Sequence, residues 1–315
     1  MPRATRTSDR LGRGRRRSTR RSSRRSVAKR PPYRKYLRKM SKRRILNITS
    51  TKKKDTMTGY TNSTPANQTG GTVYSTDPAI VTGGLNANQC NAFLWCATAR
   101  TNQVINPTQN TLVPGNKFYT ACRTDSNPYM VGLSEKIEIQ CNSGMPWQWR
   151  RICWTQKGGQ GLPANSTSFN LSQQNAITGW NRVMNQVAGN PGTGDQYNLF
   201  HHIFRGQVGS DWVDVMTAPL DPQHITVKYD KVVTLASGNE EGFIRAYRRW
   251  HPMKKTLSYA DEEYGNVENA DAFSQVGKKG MGDYYVLDLF RARQGAQTND
   301  SISIRPCATL YWHEK

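Results

Sequence analysis

The sequence predicts an all-β body preceded by a basic N-terminal arm. Beyond Met57 the chain consists of short apolar runs separated by Gly, Pro and Asn, and strand and helix patterns do not alternate regularly. Roughly nine of these runs resemble strands, and many short strands with turn signals are typical of a sandwich or barrel. Before Met57 basic residues dominate and strand-like runs are missing. We therefore expect an arm over residues 1–54 and a body over residues 55–315.

The positive charge of the chain is concentrated in the arm. Residues 1–54 contain 16 Arg, 7 Lys and one acid, Asp9, a net charge of +22, whereas residues 55–315 carry 22 basic and 21 acidic residues. The stretch RGRRRSTRRSSRR, from Arg13 to Arg25, has eight arginines in thirteen residues and no apolar side chain. Such a segment cannot bury enough apolar surface to offset its chain entropy, so we expect it to be disordered when unbound.

A polycationic arm is typical of proteins that bind nucleic acid through phosphate neutralisation and counterion release. Nuclear import alone is a simpler alternative, but a short cluster of Lys and Arg would be enough for it. We therefore expect DNA binding, with recognition by a nuclear import receptor as a second use of the same charges. The residues expected to serve these two roles are Arg13, Arg15, Arg16, Arg17, Arg20, Arg21, Arg24, Arg25, Lys29, Arg30, Arg34, Lys35, Arg38, Lys39, Lys42, Arg43, Arg44, Lys52, Lys53 and Lys54.

The end of the arm predicts a short basic helix near 33–46. In YRKYLRKMSKRRIL, the residues Tyr33, Tyr36, Leu37 and Met40 recur at helical spacing, and prolines precede the stretch. Two functions fit this pattern. The helix could bind a membrane surface or a calmodulin-type groove, or it could dock by its apolar stripe and present its cations to phosphates. The arginine-rich stretch just upstream favours the second.

Two segments of the body alternate clearly between apolar and polar residues. In VGLSEKIEIQC we expect one face to be apolar, and in HITVKYDKVVTLA we expect five side chains to point inward. The residues expected to share these faces are Val131, Leu133, Ile137, Ile139 and Cys141 in the first segment and Ile225, Val227, Tyr229, Val233 and Leu235 in the second. The other predicted strands are NAFLWCATA, PWQWRRICW, NLFHHIFRGQV, WVDVM, GFIRAYRRW, DYYVLDLFRAR and SISIRPCATLYW.

Two long connections, 157–198 and 252–282, interrupt the predicted strands. The first contains a helical candidate, ITGWNRVMNQVAG, in which Trp180, Val183, Met184 and Val187 share one side. Inserted loops of this length are uncommon in compact domains unless they bind or fold against something else.

Two predicted strands, PWQWRRICW and GFIRAYRRW, carry aromatic and basic residues on both faces. They are either ordinary core strands with a few snorkelling arginines or sheet faces covered by another subunit or by stacked bases. The candidate residues for subunit or DNA contact are Trp147, Trp149, Arg150, Arg151, Arg245, Arg248, Arg249 and Trp250.

No motif of catalysis, cofactor binding or metal binding is found. The segment nearest to a phosphate-binding loop, AFSQVGKKG, has Ala272 in place of the first glycine. His201 and His202 are expected in a strand, where adjacent side chains point to opposite faces and cannot hold one ion. The acidic run 261–263 is one possible Ca²⁺ site, but a solvated loop is the simpler interpretation. The six cysteines form no CxxC pair and are expected to be reduced, small apolar residues.

Several long segments resemble the capsid proteins of genomoviruses, the gemycircularvirus group, and the likeness to geminivirus capsid proteins is weaker. These segments occur in the order of the family and are RRILNITSTKKKDTM, EKIEIQCNSGMPWQWRRIC, VKYDKVVTLASGN, RRWHPMKKTLSYADEE, GKKGMGDYYVLDLF and LYWHEK.

The resemblance implies one viral jelly-roll domain with two four-stranded antiparallel sheets. It also implies a virion with a T=1 icosahedral shell of 60 identical subunits around circular single-stranded DNA, and assembly in the host nucleus. No catalytic residue is implied. The main alternative is a cellular structural protein that binds nucleic acid through a basic tail. A third possibility, a β-sandwich enzyme acting on nucleic acid, would require a carboxylate cluster or metal set, of which the sequence shows no signature.

Overall fold

The computed structural model describes residues 40–84, 89–164, 169–189 and 194–315. In chain order its elements are α1 (Lys42–Thr49), β1 (Thr51–Met57), β2 (Gly59–Thr61), β3 (Ala79–Thr82), β4 (Asn91–Cys96), β5 (Gln103–Ile105), β6 (Leu112–Pro114), β7 (Tyr129–Cys141), β8 (Trp147–Gln156), β9 (Gln173–Asn175), β10 (Gly179–Gln186), α2 (Gly194–Ile203), β11 (Thr226–Leu235), β12 (Phe243–Thr256), β13 (Glu262–Tyr264), β14 (Val267–Asn269), β15 (Asp283–Ala292) and β16 (Ser301–Glu314).

The predicted all-β body is confirmed, and most of its strands form two sheets. One is a five-stranded sheet in the order β1-β16-β7-β12, with β3 also paired to β16. The other is a seven-stranded sheet in the order β11-β8-β15-β4-β10-β2, with β9 beside β10. Neighbouring strands are antiparallel except for β10 and β2, which run parallel. Two short hairpins, β5–β6 and β13–β14, lie outside these sheets.

The two sheets pack face to face, and the seven-stranded sheet is covered on both sides. Between the sheets, Ile137 and Ile304 of the five-stranded sheet pack with Trp149 and Phe290 of the seven-stranded sheet. The opposite face of the seven-stranded sheet packs against α2 and the segment that follows it, through residues that include Phe200. Because both faces of a central strand are covered, its sequence is a continuous apolar run and does not alternate between apolar and polar residues.

Two predicted elements were wrong, and the double burial explains the first of them. The predicted helix in ITGWNRVMNQVAG is strand β10, in which Val183 and Met184 are adjacent but join different buried clusters. The predicted strand NLFHHIFRGQV instead contributes most of α2, where Leu199 and Ile203 lie one helical turn apart and both are buried. His201 and His202 are therefore helical and not in a strand.

The predicted strand WVDVM is also wrong, because the segment forms a turn. The Asp214 carboxylate accepts a hydrogen bond from the Met216 backbone N–H at 2.8 Å. The Asp214 carbonyl accepts bonds from two further backbone N–H groups, those of Thr217 and Ala218. An aspartate that bonds to the backbone two residues later favours a turn over a strand.

The long connections contain ordered strands as well as loops. The connection 157–198 includes β9, β10 and the start of α2, and the connection 252–282 includes the end of β12 and the hairpin β13–β14.

The predicted strand faces are confirmed for β7 and only partly for β11. In β7, Leu133, Ile137, Ile139 and Cys141 are buried, but a register shift near Gly132 leaves Val131 half-buried and Met130 buried. In β11, Leu235 is buried and the preceding Ile225 is also buried, whereas Val227 is exposed and both Tyr229 and Val233 are half-buried. The difference arises because β11 is the terminal strand of its sheet.

The arm boundary predicted after Lys54 is wrong because it falls inside β1. That strand pairs with β16 from Thr51 opposite Glu314 to Met57 opposite Ala308, so it belongs to the body. The chain divides into two units, residues 1–45 and 46–315. Of the predicted helix near 33–46, residues 33–39 lie outside the described residues, and α1 begins at Lys42.

A buried ionic network connects the two sheets. Arg151 on β8 donates to Glu135 on β7 at 2.6 Å and to Asp288 on β15 at 2.7 Å. Arg182 on β10 contacts the same two carboxylates, at 3.3 and 3.0 Å, and His251 on β12 lies 3.1 Å from Glu135. Burial alone would raise the pKa of Glu135, but Arg151, His251 and Arg182 hold it well below its usual value. Five strands are thereby fixed around two carboxylates.

We expect Glu135→Gln to lower the free energy of unfolding by about 3–5 kcal/mol, because it leaves buried guanidinium groups without a full set of partners. The pKa of Glu135 is lower in the folded state than its ordinary value of 4.5. Its contribution is therefore present above about pH 4.5 and is lost as the pH falls below it. Urea unfolding of the wild-type protein and the variant should show a difference in the free energy of unfolding at pH 7, and this difference should become smaller below about pH 4.5.

The matched control is Lys136→Gln, an exposed neighbour on the same strand. Its stability should stay within about 0.5 kcal/mol of wild type. Equal effects of the two substitutions would contradict a structural role for the network.

Candidate nucleic-acid and subunit interface

Most of the predicted DNA-binding arm lies outside the described residues, including every candidate from Arg13 to Lys39. Within α1, Lys42 and Arg44 are exposed, and the Arg44 backbone N–H donates to the Ser41 hydroxyl at 3.3 Å. A serine in this position satisfies a free N–H group at the start of the helix. Nothing is described of the Arg43 side chain.

The three lysines of β1 divide into two kinds. Lys52 and Lys54 are exposed and available to an anion, whereas Lys53 is 3% exposed. The Lys53 ammonium lies 2.9 Å from the Glu314 carboxylate and donates to the Cys122 carbonyl at 2.7 Å. The assignment of Lys53 to DNA binding is therefore wrong, because strand alternation turns it into the body, where it binds a carboxylate of β16.

The four candidates on β8 are interior residues. Trp147, Trp149, Arg150 and Arg151 are each at most 4% exposed. Arg150 donates to both carboxylate oxygens of Asp230, at 2.9 and 2.7 Å, while Arg151 belongs to the ionic network. Their assignment to subunit or DNA contact is wrong, and the interpretation as an ordinary core strand is correct. The arginines are fully paired rather than snorkelling to solvent.

The four candidates on β12 lie at the surface or just beneath it. Arg245 and Arg248 are exposed, and Trp250 is 51% exposed. Arg249 is half-buried, with its guanidinium 5.6 Å from the Tyr247 ring centroid, and its buried Nε has no hydrogen-bond partner. These residues stay candidates for contact with DNA or another subunit.

The structure brings the open edges of both sheets to the same side of the body. β11 ends the seven-stranded sheet and β12 ends the five-stranded sheet. The Tyr229 ring of β11 meets the His251 ring of β12 at 5.5 Å, and Arg245 donates to the Ala236 carbonyl just beyond β11 at 2.7 Å. A continuous surface therefore spans two terminal strands whose outer backbone edges have no neighbouring strand in these sheets.

We call this surface the edge surface. Its exposed residues are the cations Lys228, Lys231, Arg245, Arg248, Lys254 and Lys255 and the apolar residues Val227, Val232, Ile244 and Trp250.

The charge of the edge surface is positive and uncompensated. No ion pair involves any of its six cations within the described ranges. Asp230, the acid of β11, is already bound by Arg150 from within. Partial burial and the nearby Lys255 both lower the pKa of Lys228, which reflects the repulsion between like charges from the two strands.

Sequence reasoning missed the four lysines of the edge surface. The signal that would have found them is that both faces of β11 and β12 carry basic residues with few acids between them, a pattern of terminal strands.

The described residues contain no group of three or more His, Cys, Asp or Glu side chains arranged to hold a metal ion. The proposed Ca²⁺ ligand Asp261 instead binds the Arg123 guanidinium at 2.6 and 3.0 Å. His202 stacks on His224 with ring centroids 5.1 Å apart.

All six cysteines are free thiols and five are buried, as expected, and burial raises the pKa of Cys90 to about 12. No helix in the described part of the chain is long and apolar enough to cross a membrane.

We expect Lys53→Gln to lower the free energy of unfolding by about 3–5 kcal/mol, because the buried Glu314 carboxylate loses its cation. Lys52→Gln, one residue away on the exposed side of β1, should change stability by less than about 0.5 kcal/mol. Thermal or urea unfolding of the two variants distinguishes them, and equal effects would contradict the assignment of Lys53 to the interior.

No protein-family model matches the sequence, and no curated protein matches it.

Proposed function

We propose that the protein is a viral capsid protein with a jelly-roll fold. It self-assembles into a small icosahedral shell and packages circular single-stranded DNA through its basic arm. The single observation that carries the proposal is the order of the strands in the two sheets. The arm charge and the segments that resemble genomovirus capsid proteins support it further.

The strand order fits a jelly roll once the eight principal strands are numbered along the chain. These strands are β1, β4, β7, β8, β11, β12, β15 and β16. Numbered from one to eight, they follow the order 1-8-3-6 in the five-stranded sheet and, read from β4 to the terminal strand β11, 2-7-4-5 in the seven-stranded sheet. This order corresponds to two nested Greek keys, the arrangement of jelly rolls in viral capsid and lectin domains. In this interpretation β2, β3, β9 and β10 are additions to two four-stranded sheets, which accounts for the observed five and seven strands.

The charge distribution supports packaging. Sixty arms of net charge +22 carry roughly 1,300 positive charges, which would neutralise on the order of a thousand phosphates. A single strand bends easily into a small cavity, whereas duplex DNA with a persistence length of about 50 nm resists bending. The body contributes almost no net charge, so genome binding is assigned to the arm. The same basic residues would engage a nuclear import receptor, and the protein would reside in the virion and, during assembly, in the host nucleus.

The alternative function is that of a cellular structural protein with a basic tail that binds nucleic acid. It accounts for the arm and for the positive edge surface, but it gives no reason for the strand order of the body. Such a protein would bind DNA as a monomer or small oligomer. Particle size therefore separates the two functions.

The proposal is tested by electron microscopy of the full-length protein, with and without circular single-stranded DNA, at low and high salt. We expect uniform small shells that retain DNA. Replacing the eight arginines between Arg13 and Arg25 by serine removes eight charges per subunit. This variant should still form shells but should lose most of the protected DNA.

The matched control replaces the same eight arginines by lysine, which keeps the charge and should keep the DNA, because phosphate neutralisation depends on charge alone. Monomers or dimers that bind DNA but never close into shells would contradict the capsid function and support the basic-tailed binding protein.

A further inference from the structure

The body carries an acidic surface that complements the edge surface. The hairpin β13–β14, which we call the acidic hairpin, spans Glu262–Asn269 and exposes Glu262, Glu263 and Glu268 without a basic residue among them. Two apolar side chains stand beside these carboxylates, Tyr264 at 75% and Val267 at 57% exposed. The hairpin thus combines negative charge with uncovered apolar area, whereas the edge surface combines positive charge with uncovered apolar area.

The base of the acidic hairpin is anchored to the body. The Glu268 carboxylate accepts hydrogen bonds from the Asn102 amide at 3.2 Å and from the Ser126 hydroxyl at 3.0 Å. Just before the hairpin, Asp261 is held by both terminal nitrogens of Arg123. An anchored hairpin loses less conformational entropy on binding than a free loop does.

The acidic hairpin has no ionic partner within its own chain. Across the described ranges, neither Glu262 nor Glu263 nor Glu268 forms an ion pair, and the edge surface has none either. The interior charges behave in the opposite way, since each of Lys53, Arg123, Arg151 and Arg182 binds a carboxylate. Two exposed patches of opposite sign are therefore left uncompensated on a body of nearly zero net charge.

We propose that the acidic hairpin of one copy docks on the edge surface of a neighbouring copy. This inference rests on the proposed shell and identifies one of its subunit contacts. Glu262, Tyr264 and Val267 share one face of the hairpin and contact the cations and apolar residues of the edge surface, while Glu263 on the other face adds negative charge.

Charge complementarity favours this contact over a symmetric pairing of two edge surfaces. Two copies that paired β12 with β12 would bring Arg245 and Arg248 against like charges, and lysine and arginine on terminal strands commonly prevent such pairing. An acidic hairpin reverses the sign of that interaction. A contact between two different patches is heterologous, and a repeated heterologous contact forms a ring when the rotation between copies closes; the three-fold and five-fold axes of an icosahedral shell require contacts of this kind.

The sheet register identifies which charges of the edge surface to change. Lys231 lies opposite Arg151 on β8, and Arg249 lies opposite Glu135 on β7, while Arg151 and Glu135 bind each other across the two sheets. Lys231 and Arg248, the residue beside Arg249, are therefore at one level along the strands, with Arg248 opposite the exposed Lys136 and on the outer face of the five-stranded sheet. Both are exposed, so substituting them leaves the interior unchanged.

The test uses three full-length variants. The hairpin variant carries Glu262→Lys and Glu263→Lys, the edge variant carries Lys231→Glu and Arg248→Glu, and the exchange variant carries all four changes. Assembly is measured without DNA by sedimentation velocity and electron microscopy. We expect each two-site variant to need at least tenfold more protein than wild type for assembly at low salt, with a smaller difference at high salt. The exchange variant should recover most of the loss, because its charges are again complementary.

The control variant, Lys278→Glu with Lys279→Glu, makes the same change in net charge as the edge variant at an exposed loop. It should assemble like wild type. Circular dichroism and unfolding midpoints show whether each variant is folded, and Glu262→Gln with Glu263→Gln provides a milder second hairpin variant.

The outcomes separate the contact from the proposed function. Shells that form equally well in all variants would overturn the contact and leave the capsid function intact. In a parallel assembly with circular single-stranded DNA, an edge variant that assembles fully but retains less DNA than wild type would overturn the contact and assign the edge surface to nucleic acid. In a further outcome, the wild-type protein forms open oligomers instead of shells. If the hairpin and edge variants then dissociate and the exchange variant forms the oligomers again, the contact is supported and the closed shell is contradicted. A wild-type protein that stays monomeric under all conditions would overturn both.

Discussion

The body depends on a group of charges that water cannot reach. Glu135 and Asp288 lie between the two sheets, and Arg151 and Arg182 bind both of them. Each buried ion would be costly alone, and the cost is offset only when all the partners lie at hydrogen-bonding distance. A slip of one residue in any of β7, β8, β10 or β15 would turn a charged side chain to the opposite face and leave the others unpaired. We infer that the network specifies the register of the sandwich more than it adds to net stability.

The same requirement divides the charged residues of the body into two classes. Interior cations such as Arg100, Arg123 and Arg150 are each matched to a carboxylate supplied by a distant part of the chain. The cations of the edge surface and the carboxylates of the acidic hairpin need no such match, because water solvates them. Their charge is therefore available for recognition. The interior arginines help to specify the fold of the chain, whereas the exposed charges are the ones that the proposed contact between copies would use.

Much of the fold was predictable from the sequence, because β7, β12, β15 and β16 are bounded by turn residues and have the length and residue preferences of strands. The failures have separate physical causes. β10 is covered on both faces, so its apolar residues do not alternate, and the spacing of Trp180, Val183 and Val187 fits a helix equally well. The interior position of Lys53 and Arg151 was not predictable either, since Glu314 and Asp288 are far away in sequence and only the sheet order brings them together. The position of the edge surface likewise depends on which strands end the sheets.

The pairing of β1 with β16 has a kinetic consequence. Thr51 lies opposite Glu314, so β1 can pair with its only sheet neighbour in the described structure only after β16, at the far end of the body, has been synthesised. Contacts this distant in sequence make folding slow, because a long loop must close before any pairing stabilises it. On the ribosome, β1 therefore lacks its sheet neighbour until β16 has left the ribosomal exit tunnel. Incorporation of β1 into the five-stranded sheet is thus a late event in the folding of the body.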